Sequence, residues 1–282
     1  MTAFHVLTDS NCHIPPALCT ELGIRVVPLP YVWGGQAFSD GVDIPPKQFY
    51  RRLRGARDLP KTSGPTPGAF IGAMRELNAD GKPVLGIFVG SEFSSTVASA
   101  KLALEEIGKE RGTILDSKSN ALGMGFQVLA AARAAKEGAT LEEAIRIVER
   151  AGPHCGVVFA VSDLGHLRKG GRIGFAQSLL GSALKTIPIL AIDQGPIAPV
   201  GRTRSKAKAI NELLDQVEMR LDGDRPYRLG VLHSDAEDVA WELRRAAEAR
   251  FQPDEMLLEQ LNSILAIHVG PDAFGLAYCS GV

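Results

Sequence analysis

The stretch that decides the fold is Val84-Leu-Gly-Ile-Phe-Val-Gly-Ser-Glu-Phe-Ser-Ser-Thr96, where an apolar run leads into a loop rich in hydroxyl groups. The run Val84–Val89 predicts a buried strand, and the apolar residues of Ser95–Ile107 repeat at helical spacing. Another strand-like segment, Thr113–Asp116, follows. Strand, helix and strand in this order predict a parallel βαβ unit.

The same alternation continues along the rest of the chain. The further predicted strands are Phe4–Thr8, Arg25–Val32, Gly156–Val161, Ile187–Ile192, Tyr227–His233, Glu255–Leu261 and Ala273–Tyr278. The further predicted helices are Pro16–Leu22, Pro46–Arg54, Pro67–Asn78, Asn120–Lys136, Thr140–Arg150, Ala176–Lys185, Lys206–Leu221 and Asp235–Arg250. Thr140 with Glu143, and Ser234 with Glu237, have the spacing of capping boxes. The pattern predicts an α/β protein.

A break in this pattern falls near the middle of the chain. Ala151-Gly-Pro153 ends a predicted helix, and a new alternation of strands and helices begins after it. A chain of 282 residues accommodates one large domain or two of medium size. We expect two α/β domains, residues 1–152 and 153–282.

Composition and charge exclude several classes of protein. The chain is 45% hydrophobic and 22% charged, with a formal net charge of -1, which is typical of a globular protein and unlike a disordered one. Because there is no overall positive charge, we expect no nucleic-acid partner. The longest apolar stretches have about seven residues, far fewer than a membrane span needs. The first residues show no secretory signal, so we expect a cytoplasmic protein.

The four cysteines, Cys12, Cys19, Cys155 and Cys279, are scattered along the chain and form no CxxC motif. This arrangement favours reduced thiols over a disulfide framework. Cys12, His13 and Cys19 match no zinc-ligand spacing, so we expect no metal. No motif indicates a cofactor.

Two loops before predicted helices carry more hydroxyl groups than a plain connection needs. Lys61–Gly68 offers Thr62 and Ser63 beside a helix start, and such sites hold anions, although a capped turn is the favoured interpretation of this loop taken alone. Gly90–Thr96 places Ser91 and Ser94 at the carboxyl end of a predicted strand, the usual ligand position in α/β sheets. No G-x-S-x-G motif surrounds Ser94, so hydrogen bonding is favoured over nucleophilic attack.

Cations and one histidine complete the set of candidates. Asp163–Gly174 supplies Arg168, Lys169 and Arg172 around a glycine pair, but it lacks P-loop and dinucleotide-binding spacing. Arg202 opens a second basic run. His268 interrupts an apolar segment, where an imidazole is either a core residue or a proton donor to a buried carboxylate.

Taken in order along the chain, these segments resemble the DegV family, whose members include the fatty-acid-binding subunits of bacterial fatty acid kinase. The matching segments are Leu7–Ser10, Thr62–Thr66, Ser91–Thr96, Asp116–Ser117, Asp163–Gly174, Arg202–Arg204 and His268–Pro271. Departures from the family's usual pattern are Gly64 in place of Gln, Phe93-Ser-Ser95 in place of Leu-Ser-Gly, Asn262-Ser263 in place of Gly-Pro, and Asp272 in place of Gly.

The resemblance implies an EDD-type fold of two α/β domains with one long-chain fatty acid between them. The carboxylate would be bound by Thr62, Ser63, Ser94 and His268. Ser91, Arg172 and Arg202 would lie near the mouth and face the partner, a separate ATP-dependent fatty acid kinase that forms the acyl phosphate for phospholipid synthesis. This chain would then be a carrier without catalytic residues of its own, in at most transient contact with a membrane.

Two other functions remain open at this stage. One is a hydrolase or acyltransferase that depends on Ser94 and His268. The other is a regulatory module that binds a phosphorylated or hydroxylated metabolite through Arg172 and Arg202. A long apolar cavity would favour the lipid, and a short polar pocket would favour the metabolite.

Overall fold

The computed structural model describes residues 2–180, 186–221 and 225–281. The strands are β1 (His5–Asp9), β2 (Ile24–Val27), β3 (Pro30–Trp33), β4 (Gln36–Ser39), β5 (Lys61–Thr62), β6 (Val84–Phe88), β7 (Gly112–Asp116), β8 (Cys155–Ala160), β9 (Ile187–Ile192), β10 (Ala198–Thr203), β11 (Tyr227–His233), β12 (Glu255–Gln260) and β13 (Phe274–Ser280). The α-helices are α1 (Pro16–Leu22), α2 (Pro46–Arg54), α3 (Pro67–Leu77), α4 (Thr96–Ile107), α5 (Ala121–Lys136), α6 (Leu141–Ala151), α7 (Gly165–Lys169), α8 (Lys206–Glu218), α9 (Glu237–Phe251) and α10 (Ser263–Val269).

The first sheet is parallel throughout and has the order β2-β1-β6-β7. The predicted unit of β6, α4 and β7 is confirmed, with Phe88 paired to Asp116 at its end. Strand β1 pairs with β2 on one side and with β6 on the other. The carboxyl ends of β1 and β6 therefore form a topological switch point, which is where open α/β sheets bind ligands. The outer face of this sheet packs against α3 and α4 around Phe70, Phe88 and Val97.

The second sheet has six strands in the order β10-β9-β8-β13-β11-β12. Only β11 and β12 are parallel in it, and the other neighbours are antiparallel. Helices α8 and α9 cover one face. A small third sheet, β4-β3-β5, packs with α2 and α10 around Tyr31, Phe49 and Ile267.

Helix α5 lies between the two large sheets and contacts β1 and β6 on one side and β8 and β13 on the other. Fourteen of its 16 residues are buried, as expected for a helix that is apolar all round. Small residues allow the sheets to approach it. A Cβ on Gly123 would lie 3.0 Å from Val157, and one on Gly125 would overlap the carbonyl of Cys12. The proposed boundary at residues 152 and 153 stays a prediction, because α5 belongs by sequence to the first half yet packs on strands of both.

Several predicted elements differ from the structure. Arg25–Val32 is two strands in different sheets, because Pro28 has no N–H to continue the ladder after Val27. In the predicted helix Ala176–Lys185, the residues up to Leu179 lie in a 3₁₀ helix, Gly174–Leu179, which Leu180 ends with extended backbone, and residues 181–185 lie outside the described part of the chain. The short elements β4, β5, β10, α7 and α10 were not predicted.

One of the two predicted capping boxes is confirmed. The Thr140 hydroxyl accepts the Glu143 N–H, and the Glu143 carboxylate accepts the Thr140 N–H. The box at Ser234 is wrong, because the N-cap of α9 is Ala236. The backbone of Ser234 pairs instead with Asp272 and Ala273, which delays the start of the helix.

The expectation of four reduced thiols is also wrong, because Cys155 and Cys279 form a disulfide. The two residues are 124 positions apart, and cysteine spacing in the sequence does not indicate a disulfide at such a separation. Antiparallel pairing of β8 with β13 places them directly opposite each other. Cys12 and Cys19 are free and buried.

Candidate functional site

A mostly apolar cavity lies between the two large sheets, beside α5 and α10. Its apolar walls come from every surrounding element and include Val89, Ala121, Val157, Phe159, Ile192 and Leu265. Several polar side chains of the lining gather at one end, where β5, the loop after β6 and α10 meet, and Asn11 and Asn120 are polar lining residues as well. A ligand with an apolar part and one polar end matches this lining.

The polar end is organised around Thr62 and His268. Thr62 is the last residue of β5, a two-residue strand held against β3 by its pairing with Tyr31. His268 lies in the last turn of α10. The Oγ1 atom of Thr62 is 2.9 Å from the Nε2 atom of His268. A neutral ring protonated at Nε2 would donate to Thr62 and leave the threonine hydroxyl free to donate to a ligand.

Burial keeps His268 uncharged at neutral pH. Its side chain is only 9% exposed, and burial, followed by the charge of Arg172 and the proximity of His166, lowers its pKa to about 4. Its Nδ1 atom has no hydrogen-bond partner among the described residues and lies against Gly170. The ring is therefore a neutral hydrogen-bonding group in the unliganded protein.

Ser94 and Arg172 hold the loop that follows β6. The Ser94 Oγ atom is 2.8 Å from the Thr96 Oγ1 atom and accepts the Thr96 N–H at 3.3 Å. Arg172 donates from Nε to the carbonyl of Phe93 and from Nη1 to the carbonyl of Gly170. Its guanidinium group thus joins the serine loop to the turn beside His268.

The structure brings together most of the side chains that the sequence singled out. Thr62, Ser63, Ser94, Arg172 and His268 all line the cavity. Ser91 and Arg202 are exposed and do not line it. The Ser91 N–H donates to the carboxylate of Asp116, and Arg202 lies on β10.

A second cavity, the outer groove, continues from the polar end toward solvent. It is lined by Lys61, Lys169, Arg57, Asp58 and the hairpin turn Gly34-Gly35, and it shares Thr62, Arg172 and His268 with the inner cavity. These three shared side chains stand at the junction of an apolar space and a cationic one.

A buried polar network supports α10 and went unnoticed in the sequence. Asn262 caps the helix by accepting the Leu265 N–H, and its amide donates to Asp40 at 2.7 Å. The Asn262 N–H donates to Nε2 of His13, whose Nδ1 contacts the carbonyl of Asn11. An asparagine before an apolar run is an N-cap signal and could have revealed this helix.

Two carboxyl groups and one imidazole of this region are buried. Burial raises the pKa of Asp9 to about 6 and raises that of Asp40, and it lowers the pKa of His13 to about 4. The carboxylate of Asp9 accepts the N–H groups of Asn11 and Val89. Asp9 therefore fixes the turn that carries Asn11 to the cavity wall.

Two of the departures from the usual DegV pattern touch each other. A Cβ on Gly64 would overlap the hydroxyl of Ser95. The family pattern that the sequence resembles has Gln at position 64 and Gly at position 95, whereas this chain has Gly at 64 and Ser at 95. The two differences are therefore complementary in space. A third departure, Asp272, adopts a left-handed φ of 65°, which explains the glycine usual there, and its carboxylate is bound by Arg54.

Two further features bear on possible ligands. Within residues 2–180, 186–221 and 225–281, no group of three or more His, Cys, Asp and Glu side chains is placed to hold a metal ion. No helix in the described part of the chain is long and apolar enough to cross a membrane.

Comparison with known proteins identifies the family. The family model described as "Uncharacterised protein, DegV family" matches residues 3–281. The chain belongs to the DegV family. Protein DegV of Bacillus subtilis is 30% identical over 275 residues, which cover 97% of this chain and 98% of that protein. A DegV domain-containing protein of Mycobacterium bovis is 35% identical over 277 residues, 96% of this chain and 95% of the relative.

Solved DegV structures share the whole fold. A DegV family protein from Thermus thermophilus, described by its fatty acid binding, is 34% identical, with a TM-score of 0.93 and full coverage of both chains. DegV from Bacillus subtilis, described as a fatty acid binding protein, is 28% identical, with a TM-score of 0.89 and full coverage of both chains. The predicted two-domain α/β fold of the DegV type is confirmed.

Proposed function

We propose that this protein binds one long-chain fatty acid, with the tail in the inner cavity and the carboxylate at the junction of Thr62, Ser94 and His268. The observation that carries the proposal is the 2.9 Å contact between Thr62 and His268 at the polar end of an apolar cavity. Fatty acid binding by the similar DegV proteins supports the same ligand class.

The energetics of such a ligand favour this division between tail and head. Roughly 16 methylenes at about 0.8 kcal/mol each give an upper bound near 13 kcal/mol, before the cost of immobilising the ligand. The tail therefore supplies most of the affinity. The head needs only hydrogen bonds from Thr62, Ser63, Ser94 and, through Thr62, His268, which leave an oxygen accessible for reaction.

The proposal includes a kinase partner. The bound carboxylate oxygen would attack the γ-phosphorus of ATP on a separate kinase, the bond from that phosphorus to the β,γ-bridging oxygen would break, and ADP would leave as the acyl phosphate forms. Arg172 lines the inner cavity together with Thr62 and His268, next to the proposed position of the carboxylate, and Ser91 and Arg202 are available on the exposed surface. As part of the same proposal, the protein works in the cytoplasm, where ATP and the kinase are found, and its acyl phosphate feeds phospholipid synthesis.

The two competing functions receive less support. The Ser94 hydroxyl is hydrogen-bonded to Thr96, and His268 is hydrogen-bonded to Thr62, so the two do not form a nucleophile and base pair in this geometry. The inner cavity is mostly apolar, which favours a lipid over a phosphorylated metabolite. An ester-hydrolysis assay of the Ser94→Ala variant separates a hydrolase from a carrier, because a carrier has no turnover to lose.

The direct test is identification of the ligand. Purified protein is extracted with organic solvent, the extract is analysed by mass spectrometry, and the delipidated protein is titrated with palmitate. We expect a co-purifying fatty acid at one equivalent and saturable rebinding. If the extract lacks a fatty acid and the titration shows no binding, the proposal is wrong.

A further inference from the structure

Two asparagines line the inner cavity in addition to the side chains at its polar end. Asn11 lies in the short 3₁₀ helix Ser10–Cys12, which follows β1, and Asn120 is the N-cap of α5. Both are more than nine-tenths buried, with 3% and 7% of their surfaces exposed. A buried amide in a mostly apolar wall needs hydrogen-bond partners, because polar atoms left unpaired cost free energy.

The capping hydrogen bond identifies the free atom of Asn120. Its Oδ1 atom accepts the Ala121 N–H at 2.8 Å, and an N–H requires an oxygen opposite it. The other side-chain atom is therefore Nδ2, a group with two donors. Among the described residues, this Nδ2 group has no hydrogen-bond partner. Since Asn120 lines the inner cavity, the two donors are available to a ligand there.

A similar argument identifies the free atom of Asn11. Its Oδ1 atom accepts a hydrogen bond from Nδ2 of Asn262 at 3.1 Å. The Asn262 atom must be the nitrogen, because it also donates to the carbonyl oxygen of Ser10, which can only accept. The Nδ2 group of Asn11 is therefore a second donor in the cavity wall, again without a partner in the part of the chain that the structure describes.

The hydrogen bond to Asn262 also separates Asn11 from the carboxylate end of the site. Asn262 caps the start of α10, whereas His268 lies in its last turn. Positions 262 and 268 are about 9 Å apart along the helix axis, at about 1.5 Å per residue. The 3₁₀ helix that carries Asn11 packs against α5, which begins after Asn120. The group that these amides meet therefore lies further along the ligand than its carboxylate.

We propose that the inner cavity suits a fatty acid with an oxygen in the interior of its chain, a hydroxyl or an oxo group that accepts hydrogen bonds from Asn11 and Asn120. This inference rests on the proposed function and deepens it by naming the class of fatty acid. A plain hydrocarbon chain has no acceptor for the two amides, so they would stay unpaired or keep water beside the tail. An oxygen on the chain satisfies them directly.

The test compares ligands that differ by one oxygen. Palmitate and a series of hydroxypalmitates, with the hydroxyl at successive positions along the chain, are titrated separately into the delipidated full-length protein. The measurements are repeated with Asn11→Leu and with Asn120→Leu, which replace each amide by an apolar side chain of similar size. The control is Asn211→Leu, because Asn211 is exposed on α8 and lines neither the inner cavity nor the outer groove.

We expect at least one hydroxypalmitate to bind the parent protein as tightly as palmitate or more tightly. Isomers whose hydroxyl meets the apolar wall are expected to bind roughly tenfold or more weakly, because a buried hydroxyl then lacks a partner. Each asparagine variant should lose about tenfold in affinity for a favoured isomer and keep its palmitate affinity within about twofold. The control variant should keep the preference of the parent protein.

An oxopalmitate with its carbonyl at the favoured position distinguishes the two kinds of oxygen. Equal binding of the oxo and hydroxy compounds would assign the site to any acceptor oxygen, whereas binding of the hydroxy compound alone would assign it to a hydroxyl.

If no hydroxypalmitate binds the parent protein as tightly as palmitate, the inference is wrong and water satisfies the amides. The same conclusion follows if folded asparagine variants keep the parent's preference. The positional series uses the parent protein, so its result stands even where a variant does not fold. Saturable palmitate binding would in both cases leave the proposed function standing, whereas failure of palmitate to bind the parent protein would contradict the proposed function itself.

Discussion

The Oγ1 atom of Thr62 and the Nε2 atom of His268 lie 2.9 Å apart, although 206 positions separate the two residues in the chain. The contact joins the third, small sheet to helix α10 at the point where the apolar cavity meets the cationic groove. Since the His268 ring is neutral and buried, its only hydrogen bond in the described structure orients the threonine hydroxyl. The pair sets the polar end of the site.

The first prediction concerns that hydroxyl. Thr62→Val keeps the shape of the side chain and removes its oxygen, so a bound carboxylate loses one donor and His268 loses its partner. We expect palmitate affinity to fall by about tenfold or more in titrations, because hydrogen bonds to charged groups are the stronger ones. Thr66→Val is the matched control, because Thr66 is exposed and its side chain makes no capping hydrogen bond. Equal affinity of the two variants would contradict the role of Thr62.

A second prediction concerns Gly170, which the sequence alone marks only as part of a glycine pair. A Cβ at this position would overlap Nδ1 of His268 and lie 2.9 Å from its Cε1 atom. Gly170→Ala should therefore push the ring away from Thr62 and weaken palmitate binding by roughly tenfold, with most of the fold's stability retained. Gly72→Ala is the control, because a Cβ there meets nothing within 4 Å. An unchanged affinity of Gly170→Ala would show that the ring tolerates displacement.

The third prediction tests the contact between Gly64 and Ser95. Gly64→Gln introduces a Cβ where the Ser95 hydroxyl lies, and we expect a loss of about 1 kcal/mol in the free energy of unfolding. Adding Ser95→Gly should recover most of that loss, because it empties the same space. Urea denaturation of the parent, both single variants and the double variant gives the coupling energy. Additive effects would mean that the two positions do not compensate each other.

A fourth prediction concerns pH and His13. Burial lowers the pKa of His13 from 6.5 to about 4, so the unfolded chain takes up a proton in this range that the folded protein does not. The free energy of unfolding is therefore highest with respect to His13 above about pH 6.5. It decreases by up to about 3 kcal/mol as the pH falls toward 4. The effect of Asp9 on stability has the opposite sign. Because its pKa is raised to about 6, the free energy of unfolding decreases as the pH rises from about 4 to 6.

The difference between the parent protein and His13→Asn isolates the histidine, since Asp9 is common to both. Asparagine tolerates the left-handed φ of 52° at this position and keeps a donor for the Asn11 carbonyl. We expect the variant to be less stable at neutral pH and to lose less stability between about pH 7 and pH 5, as measured by urea denaturation. Parallel pH profiles of the two proteins would show that His13 does not titrate as described.

Local patterns determined much of this fold in advance. The apolar run Val84–Val89 and the helical spacing after it predicted β6 and α4, because both depend on side chains close together in the chain. The capping box at Thr140 was readable for the same reason. The composition of the hydroxyl-rich loops indicated Thr62 and Ser94 as candidate binding residues. The order of the motifs along the chain indicated the DegV family.

Only the tertiary structure decided which of those residues meet. The Thr62–His268 contact, the closeness of Gly64 to Ser95, the disulfide between Cys155 and Cys279, and the network of Asn262, Asp40 and His13 all join residues far apart in the sequence or depend on side-chain positions. Helix α10 was missed because seven residues carry too short a periodic signal, and it forms through its cap and its packing. The sequence by itself determined most of the longer elements and the candidate groups. The packing of α5 and α10 between the sheets decided the cavity, because a cavity is bounded by surfaces that only folding brings together.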